Sequence, residues 1–343
     1  MRRRTLVIGA TGKVGREVVA GLAGRGETVR GGSRDVVRAR RALPRGTEVV
    51  EFDYDRPDTF PQAVEKVDRL FLSVRPGDEA ADATAGPLID EAIRRGVRHV
   101  VALTAMGVER LPDNALRRIE RQVEASGATW THLRPNFFMQ IFAGPPLVGQ
   151  LRGSGALRLP AAGARLSFVD VRDVAAVAVS ALLDVRHAGS AYTLTGGEAI
   201  DHAAVAGAIS RATGRDFVYV AVGEEEARGM MADGGLPPAR VERLVGFYRL
   251  VRAGACAPVS PDVEAVLGRP PIGFDAFALD HAAAWGVLGG PRPEPPIRPP
   301  TRTGPGAPAP CPGSPRAGTV SAAPRNHGAR TGRIRPARVP TLS

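Results

Sequence analysis

The chain has 343 residues, of which 43% are hydrophobic; this is enough for about two structural units with a buried core and excludes a wholly disordered protein. Its longest apolar stretch, 174–183, is well short of the roughly 18 to 20 residues that span a bilayer. The net charge of +11 would suggest nucleic-acid binding, but from residue 290 onward nine arginines face one acid, so most of that charge lies in the tail.

Short apolar runs alternate with segments of helical periodicity as far as residue 135, which indicates strands separated by single helices. Such strands pair in parallel through right-handed crossovers, so we predict a doubly wound parallel α/β sheet over 1–150, with 165–185 packing back on it. The predicted strands are 5–10, 27–34, 48–53, 69–74, 99–105 and 129–135. The predicted helices are one carrying Val14, Val18, Val19 and Leu22, and those over 35–43, 58–67, 80–95, 113–126 and 172–183.

Beyond residue 185 the alternation is less regular, and we assign 186–289 to a smaller α+β substrate-binding region. The elements predicted there are strands 190–195 and 217–222 and helices 201–213, 224–232, 237–252 and 275–286. The remaining segment, 290–343, is rich in proline and arginine and poor in large apolar residues, so we expect a disordered tail.

A glycine-rich turn joins the first predicted strand to the first predicted helix. Gly9 permits a sharp turn, Gly12 lets backbone N–H groups approach a pyrophosphate, and Gly15 allows close packing of helix and strand. A helix N-terminus then offers a partial positive charge to an anion. The turn, with Thr11, Lys13 and Val14, therefore predicts dinucleotide binding.

The residues after the second strand bear on the choice of nicotinamide cofactor. An NAD site usually has an acid here, whereas Ser33 and Arg34 can bind a 2′-phosphate, so NADP(H) is favoured. The neighbouring Asp35 leaves NAD(H) possible. Asp53, at the end of the third strand, either reaches the adenine or caps a turn.

Several motifs together resemble the NmrA-like family of atypical short-chain dehydrogenase relatives. They are 9–15 (GATGKVG), 103–107 (LTAMG), 118–127 (RIERQVEASG), 133–140 (LRPNFFMQ) and 192–197 (YTLTGG). The resemblance covers about 4–286 and implies a Rossmann fold and a nicotinamide cofactor. The family includes quinone and azo-dye reductases as well as redox-sensing regulators. Gln140 and Ile141 depart from the family's Met-Gln-Asn ending.

The sequence lacks the Tyr-x-x-x-Lys pair of ordinary short-chain dehydrogenases, because its two lysines are Lys13 and Lys66 and no tyrosine stands four before either. Hydride delivery to a quinone, carbonyl or azo acceptor needs mainly an oriented cofactor and an apolar slot. We therefore predict an NADPH-dependent reductase of a small molecule. The alternative is a regulator that senses NADP(H) and binds a protein partner without turnover.

Candidate site residues lie at the carboxyl ends of the predicted strands, where doubly wound sheets bind ligands. Thr104 either donates a hydrogen bond to the substrate or merely caps its strand, while Glu120 and His132 are read as structural, Glu120 on a solvated helix face. The other predicted cofactor contacts are Ser73, Arg75, Ala105, Pro135 and Asn136, and the predicted substrate contacts are Met106, Phe137, Phe138, Phe142 and Tyr248.

The remaining expectations concern location and partners. The apolar run near the N-terminus is too short for an export signal, and the two cysteines suit a reducing compartment, so we expect a cytoplasmic protein. We expect no disulfide framework, no metal site, no membrane contact and no nucleic-acid contact by the folded part. The sequence does not predict the oligomeric state.

Overall fold

A computed structural model describes residues 3–75 and 77–286 of the chain. Its strands are β1 (Arg4–Val7), β2 (Thr28–Ser33), β3 (Glu48–Glu51), β4 (Arg69–Ser73), β5 (His99–Leu103), β6 (Thr129–Pro135), β7 (Ala156–Leu159), β8 (Ser190–Leu194) and β9 (Val218–Ala221). Its α-helices are α1 (Lys13–Ala23), α2 (Val36–Ala42), α3 (Phe60–Ala63), α4 (Ala81–Arg94), α5 (Ala115–Ala125), α6 (Leu147–Ser154), α7 (Val171–Leu183), α8 (His202–Thr213), α9 (Glu224–Asp233), α10 (Pro238–Arg252), α11 (Asp262–Leu267), α12 (Phe274–Asp280) and α13 (Ala282–Trp285).

The main sheet has seven parallel strands in the order β3-β2-β1-β4-β5-β6-β8. Its order reverses between β1 and β4, which places a crevice at the carboxyl ends of these two strands. The predicted doubly wound α/β fold is confirmed. Helices cover both faces, and the inner strands β1, β4 and β5 are almost wholly buried, as expected for a parallel sheet.

Two hydrophobic cores lie on the two faces of this sheet. On one face α1 packs against α7, and a Cβ added at Gly21 would come within 3.0 Å of the Val179 side chain. On the other face α3, α4 and α5 cover β4 and β5, with Leu70, Leu88 and Ile119 almost fully buried. The core on each face holds the ends of the strands, and therefore the crevice, in fixed positions.

A smaller lobe follows β6 in the chain, and its core includes Leu157, Phe168 and Trp285. It contains the parallel pair β7 and β9. The Trp285 indole donates a hydrogen bond to the carbonyl of Phe142, so the end of the described chain is fixed to the segment just after β6. Within 3–75 and 77–286, no helix combines the length and apolar character of a membrane span.

The structure corrects several predicted elements. The strand predicted over 190–195 as part of the smaller region is β8, which instead pairs with β6 and extends the main sheet. The helix predicted over 58–67 is shortened to one 3-10 turn and α3, and that over 275–286 is split into α12 and α13. The sequence did not predict α6, β7 or α11. The boundary near residue 186 stays a prediction, and the predicted tail lies outside the described residues.

Candidate functional site

A cleft of about 1290 Å³ opens at the carboxyl ends of β1, β2, β4 and β5. It runs from the residues that follow β2 and β3 to those that follow β5, with α10 over one end. The predicted residues that line it are Gly9, Thr11, Gly12, Lys13, Val14, Gly15, Ser33, Arg34, Asp53, Ser73, Arg75, Thr104, Ala105 and Phe138.

The glycine turn gives this cleft its narrow middle. Gly9 has a φ of +69°, a conformation that side chains rarely adopt, and Gly12 donates a backbone hydrogen bond to Gly9 O at 2.8 Å. A Cβ at Gly15 would lie 2.1 Å from that same oxygen. Only glycine at this position therefore allows α1 to pack so closely on the turn. The first turn of α1 receives no side-chain cap. Its N–H groups are therefore suited to an anionic pyrophosphate.

The end of the cleft beside β2 presents cations. Arg34 and Arg38 both line the cleft, and in the described part of the chain neither guanidinium has a hydrogen bond or ion pair. The carboxylate of Asp35, by contrast, caps α2 by accepting a hydrogen bond from Arg38 N at 2.8 Å. Ser33 Oγ donates to Asp35 O at 3.1 Å. This arrangement suits a phosphate better than a pair of ribose hydroxyls.

An ion-paired group forms the wall next to this end. Arg75 lies 3.2 Å from Asp53 Oδ1 and 2.7 Å from Asp55 Oδ2. Hydrogen bonding to Arg75, aided by the charge of Arg34, lowers the pKa of the Asp55 carboxyl. Asp53 lines the cleft, and its carboxylate accepts a hydrogen bond from Asp55 N at 3.1 Å; it therefore has the turn role, and its contact with the adenine stays a prediction.

Lys13 links the glycine turn to the segment after β6. Its ammonium donates to the carbonyl of Gln140 at 3.3 Å. Burial, with a smaller effect from the charge of Arg16, lowers the pKa of Lys13. This side chain therefore places a proton-bearing group in the cleft, beside the turn that follows Phe138.

A buried carboxylate lies behind Thr104. Glu120 is fully buried; it accepts from Thr104 Oγ1 at 2.8 Å, from Arg134 through two bonds of 2.8 and 2.9 Å, and from Arg117 at 2.9 Å. Burial raises the pKa of Glu120, but the hydrogen bonds from Arg134 and Thr104 outweigh it and leave the pKa below its ordinary value. The Thr104 hydroxyl thus has the ionised Glu120 carboxylate as its nearer acceptor, with Leu133 O at 3.3 Å as a second one.

This arrangement changes two interpretations drawn from the sequence. Thr104 lines the cleft, but its proton points to Glu120, so the structure does not support Thr104 as a hydrogen-bond donor to substrate. Glu120 is not on a solvated helix face, and sequence reasoning missed its role. The available signal was the polar pair His132 and Arg134, two residues apart in the strand and therefore on the same face of the sheet.

Glu120, Glu124 and His132 lie close enough together to be considered as metal ligands. Arg117 and Arg134 are already bonded to these carboxylates, and their two positive charges oppose a cation there. Burial lowers the pKa of His132, which stacks on Trp130 with its ring centroid 4.5 Å away. The cluster is better explained as a support for Thr104 and the end of β5.

The opposite end of the cleft has an apolar floor, formed by Leu103, Ala105, Leu116, Phe138 and Ile141. Six predicted contacts do not line it: Pro135, Asn136, Met106, Phe137, Phe142 and Tyr248.

Four of these six side chains have contacts elsewhere, those of Asn136, Phe137, Phe142 and Tyr248. The Asn136 amide donates to Ser167 Oγ and to the carbonyl of Cys256, both at 2.8 Å. Phe142 is fully buried between the edges of Phe168 and Phe274. Tyr248 belongs to the core of the smaller lobe. Aromatic residues next to a strand end can fill a core as readily as a cleft, and here most of them pack the smaller lobe.

Comparison with known proteins identifies the family of this chain. The model of the NmrA-like family matches residues 1–264. The chain belongs to the NmrA-like family. It is 35% identical over 288 residues to the NAD(P)H azoreductase of Xenophilus azovorans, covering 82% of this chain and 99% of that protein. It is 37% identical over 294 residues to the (4-alkanoyl-5-oxo-2,5-dihydrofuran-3-yl)methyl phosphate reductase of Streptomyces griseus subsp. griseus, covering 82% and 98%.

A solved structure from the same fold is that of Citrobacter sp. triphenylmethane reductase complexed with NADP(H). It matches with a TM-score of 0.71 at 21% identity and covers 82% of this chain and 99% of that one. At this identity the match supports the fold of this NmrA-like chain and carries no residue-level argument.

Proposed function

We propose that this NmrA-like chain is an NAD(P)H-dependent oxidoreductase that prefers NADP(H) and delivers hydride to a small apolar carbonyl, quinone or azo acceptor. The observation that carries the proposal is that one cleft contains the glycine turn with the uncapped start of α1, the arginines Arg34 and Arg38, and the apolar floor. The relatives above 30% identity include the azoreductase and the phosphate-ester reductase named above, which favours this reading over a regulator without turnover.

The residues present fit a nicotinamide dinucleotide. The backbone at Gly12 and the first turn of α1 would hold the pyrophosphate, with Gly9 and Gly15 shaping the turn, and Arg34 with Arg38 would hold the 2′-phosphate. The cofactor, when bound, supplies the hydride. The chain's own part is to orient it and to keep the acceptor against the apolar floor, where Leu103, Ala105 and Phe138 limit access by water.

The source of the proton follows from the hydrogen bonds of the cleft hydroxyls. The Thr104 hydroxyl donates a hydrogen bond to Glu120, and the Tyr54 hydroxyl donates one to Ser73 O at 3.0 Å. Burial also raises the pKa of Tyr54. Neither hydroxyl is placed to give a proton to a product oxyanion. The Lys13 ammonium and water at the open end of the cleft are the groups that can do so, which suits acceptors whose reduced form is stabilised by conjugation.

The test is loss of NADPH absorbance at 340 nm with purified protein and a panel of quinones, azo compounds and simple ketones. Turnover of quinone or azo acceptors, faster with NADPH than with NADH, supports the proposal. The matched control is Gly12→Val, which we expect to remain folded without activity. Tight NADPH binding with no turnover across the panel would contradict it and favour the regulator. The cytoplasmic location stays a prediction, to be checked by fractionation.

A further inference from the structure

The loop that follows β6 is fixed in place through the side chain of Gln140. This side chain is buried; its Nε2 donates to Asp170 Oδ1 at 2.9 Å, and its Oε1 accepts from Val171 N at 3.1 Å. Asp170 is itself fully buried and accepts a hydrogen bond from Arg172 at 2.7 Å. The loop is therefore tied at Gln140 to the start of α7, which belongs to one core of the main sheet.

The backbone of Gln140 in turn holds the Lys13 ammonium. Lys13 Nζ donates to the Gln140 carbonyl at 3.3 Å, and a Cβ added at Gly144 would lie 3.8 Å from the same Nζ. Ile141, the next residue along the chain, lines the cleft together with Lys13 and Phe138. The ammonium is thus held where the glycine turn meets the apolar floor.

The charges around Lys13 leave its proton available. The loop over 138–144 has no titratable side chain, and behind it the Asp170 carboxylate is paired with Arg172. Among the described residues no carboxylate is paired with Lys13. Burial and the charge of Arg16, on the same helix, lower the pKa of Lys13. A pyrophosphate on the glycine turn would favour the protonated form, so an ammonium is expected there at neutral pH.

We propose that Lys13 is the general acid of the reduction and that Gln140 is the residue that positions it. Reduction of the acceptor takes two electrons and two hydrogens, namely the hydride that the nicotinamide supplies when bound and one proton. Lys13 gives that proton from Nζ to the oxyanion or nitrogen anion of the acceptor, and the neutral amine regains a proton from water at the open end of the cleft. This inference rests on the proposed function and chooses one of its two proton sources.

The first test is the pH profile of kcat, at saturating NADPH, for the wild type, Lys13→Met and Lys13→Arg. Wild-type kcat should fall as the pH rises through the pKa of Lys13, because only the protonated amine can act. Both variants should lose this alkaline limb, since arginine keeps the charge but does not release its proton. Their kcat at neutral pH should be about ten- to a hundredfold lower, because water replaces part of the effect of a positioned acid.

Two controls accompany this profile. Ethylammonium added to a smaller variant, Lys13→Ala, should restore part of kcat, because it returns an ammonium to the space that the side chain occupied. Lys66→Met makes the same change at the second lysine of the chain, which does not line the cleft, and should keep the wild-type profile.

The positioning role is tested by a double-variant cycle with Gln140→Met. This change nearly keeps the length of the side chain and removes its hydrogen bonds, while Asp170 keeps those from Arg172. Gln140→Met should lower kcat about three- to tenfold, as expected for a residue coupled to its neighbour, with an unchanged Kd for NADPH. In the Lys13→Met background it should have no further effect. Equal losses in both backgrounds would show a merely structural role and refute the positioning.

A readout without turnover uses the presence of two lysines, Lys13 and Lys66. Reductive methylation with ¹³C-formaldehyde labels both amines for NMR, and Lys66→Arg assigns their signals. With NADP⁺ bound, added 4-nitrophenolate, a stable stand-in for the oxyanion of a reduced acceptor, should shift the Lys13 signal and leave the Lys66 signal in place. An unmoved Lys13 signal in a complex that binds the phenolate would contradict the inference.

The failures of the two proposals are distinguishable. If Lys13→Met weakens NADPH binding but keeps the wild-type kcat, Lys13 is a ligand of the pyrophosphate, and the inference is refuted while the reductase proposal stands. If Lys13→Met keeps the alkaline limb, another group supplies the proton and the inference is again refuted. If the wild type reduces no acceptor of the panel, the reductase proposal fails and this inference fails with it.

Discussion

Replacing Arg34 with alanine tests the cofactor assignment most directly. In the described chain its guanidinium makes no hydrogen bond or ion pair and acts only through its charge on the exposed Asp55, so the variant should fold as the wild type does. A charge-assisted hydrogen bond to a phosphate is worth about 1.5 to 3 kcal/mol. Arg34 is exposed, which places the expected loss in the lower part of that range, about 1.5 to 2 kcal/mol, or about ten- to thirtyfold in Kd for NADPH.

The neighbours of Arg34 determine the rest of the outcome. Arg38 also lines the cleft and retains part of the attraction to a phosphate, so binding is weakened and not abolished. A free Asp35 carboxylate would invert the preference toward NADH, but this carboxylate is occupied in capping α2. We therefore expect the variant to bind NADPH and NADH with similar affinity.

The assay is fluorescence titration of NADPH and NADH into wild type and Arg34→Ala at one fixed ionic strength. Arg41→Ala is the matched control, because it removes a second exposed arginine of α2 that does not line the cleft. A wild type that binds NADH as tightly as NADPH, or an Arg34 variant that loses both cofactors equally, would refute the assignment.

Three further predictions concern the turn, the buried carboxylate and acid stability. Gly15→Ala should destabilise the fold, because its Cβ would lie 2.1 Å from Gly9 O. At Gly12 the Cβ would lie 3.1 Å from that oxygen, so Gly12→Val should keep its circular dichroism spectrum and lose NADPH binding. A Gly12→Val variant with normal NADPH affinity would contradict this. Glu120→Leu leaves Arg134 buried without its main partner and should lower the free energy of unfolding in urea by about 3 to 5 kcal/mol. Glu120→Gln should lower it by less. Equal losses for the two variants would contradict an ionised Glu120–Arg134 pair. Burial lowers the pKa of His202 from 6.5 to about 4, so the folded state favours the neutral imidazole. The stabilisation that this gives to the folded state is lost as the pH falls from 6.5 toward 4. His202→Gln should therefore remove about 2 kcal/mol of the difference in unfolding free energy between pH 8 and pH 5, and an unchanged difference would show that His202 does not titrate this way.

The parts of the site that could be predicted are those whose geometry is set locally. The glycine turn depends on residues within one strand-turn-helix unit, so Gly9 and Gly15 could be assigned roles from spacing alone. Glu120 could not, because its burial depends on Arg134, which comes from a strand that follows the helix and a tight turn. Phe142 could not be separated from Phe138, since both are apolar residues after β6 and only the tertiary packing sends one to the core and the other to the cleft.

The strand β8 shows a similar limit at the level of the fold. Its residues predict a strand correctly, but the choice between the main sheet and the smaller β-pair depends on which edge is free. The edge of β6 was open, and β8 pairs with it through Thr131 and Pro135 opposite Ser190 and Leu194. No local pattern carries that information.

Because β8 returns to the main sheet after the chain has already formed β7, the two lobes are interleaved along the sequence. A fragment ending near residue 150 would leave the edge of β6 unpaired, and such an edge invites association with other chains. The smaller lobe is not one continuous segment either, because β8 of the main sheet lies in the chain between β7 and β9. Engineering of acceptor specificity in this protein should therefore replace single side chains that line the cleft, such as Phe138 and Ile141, and should not exchange domains.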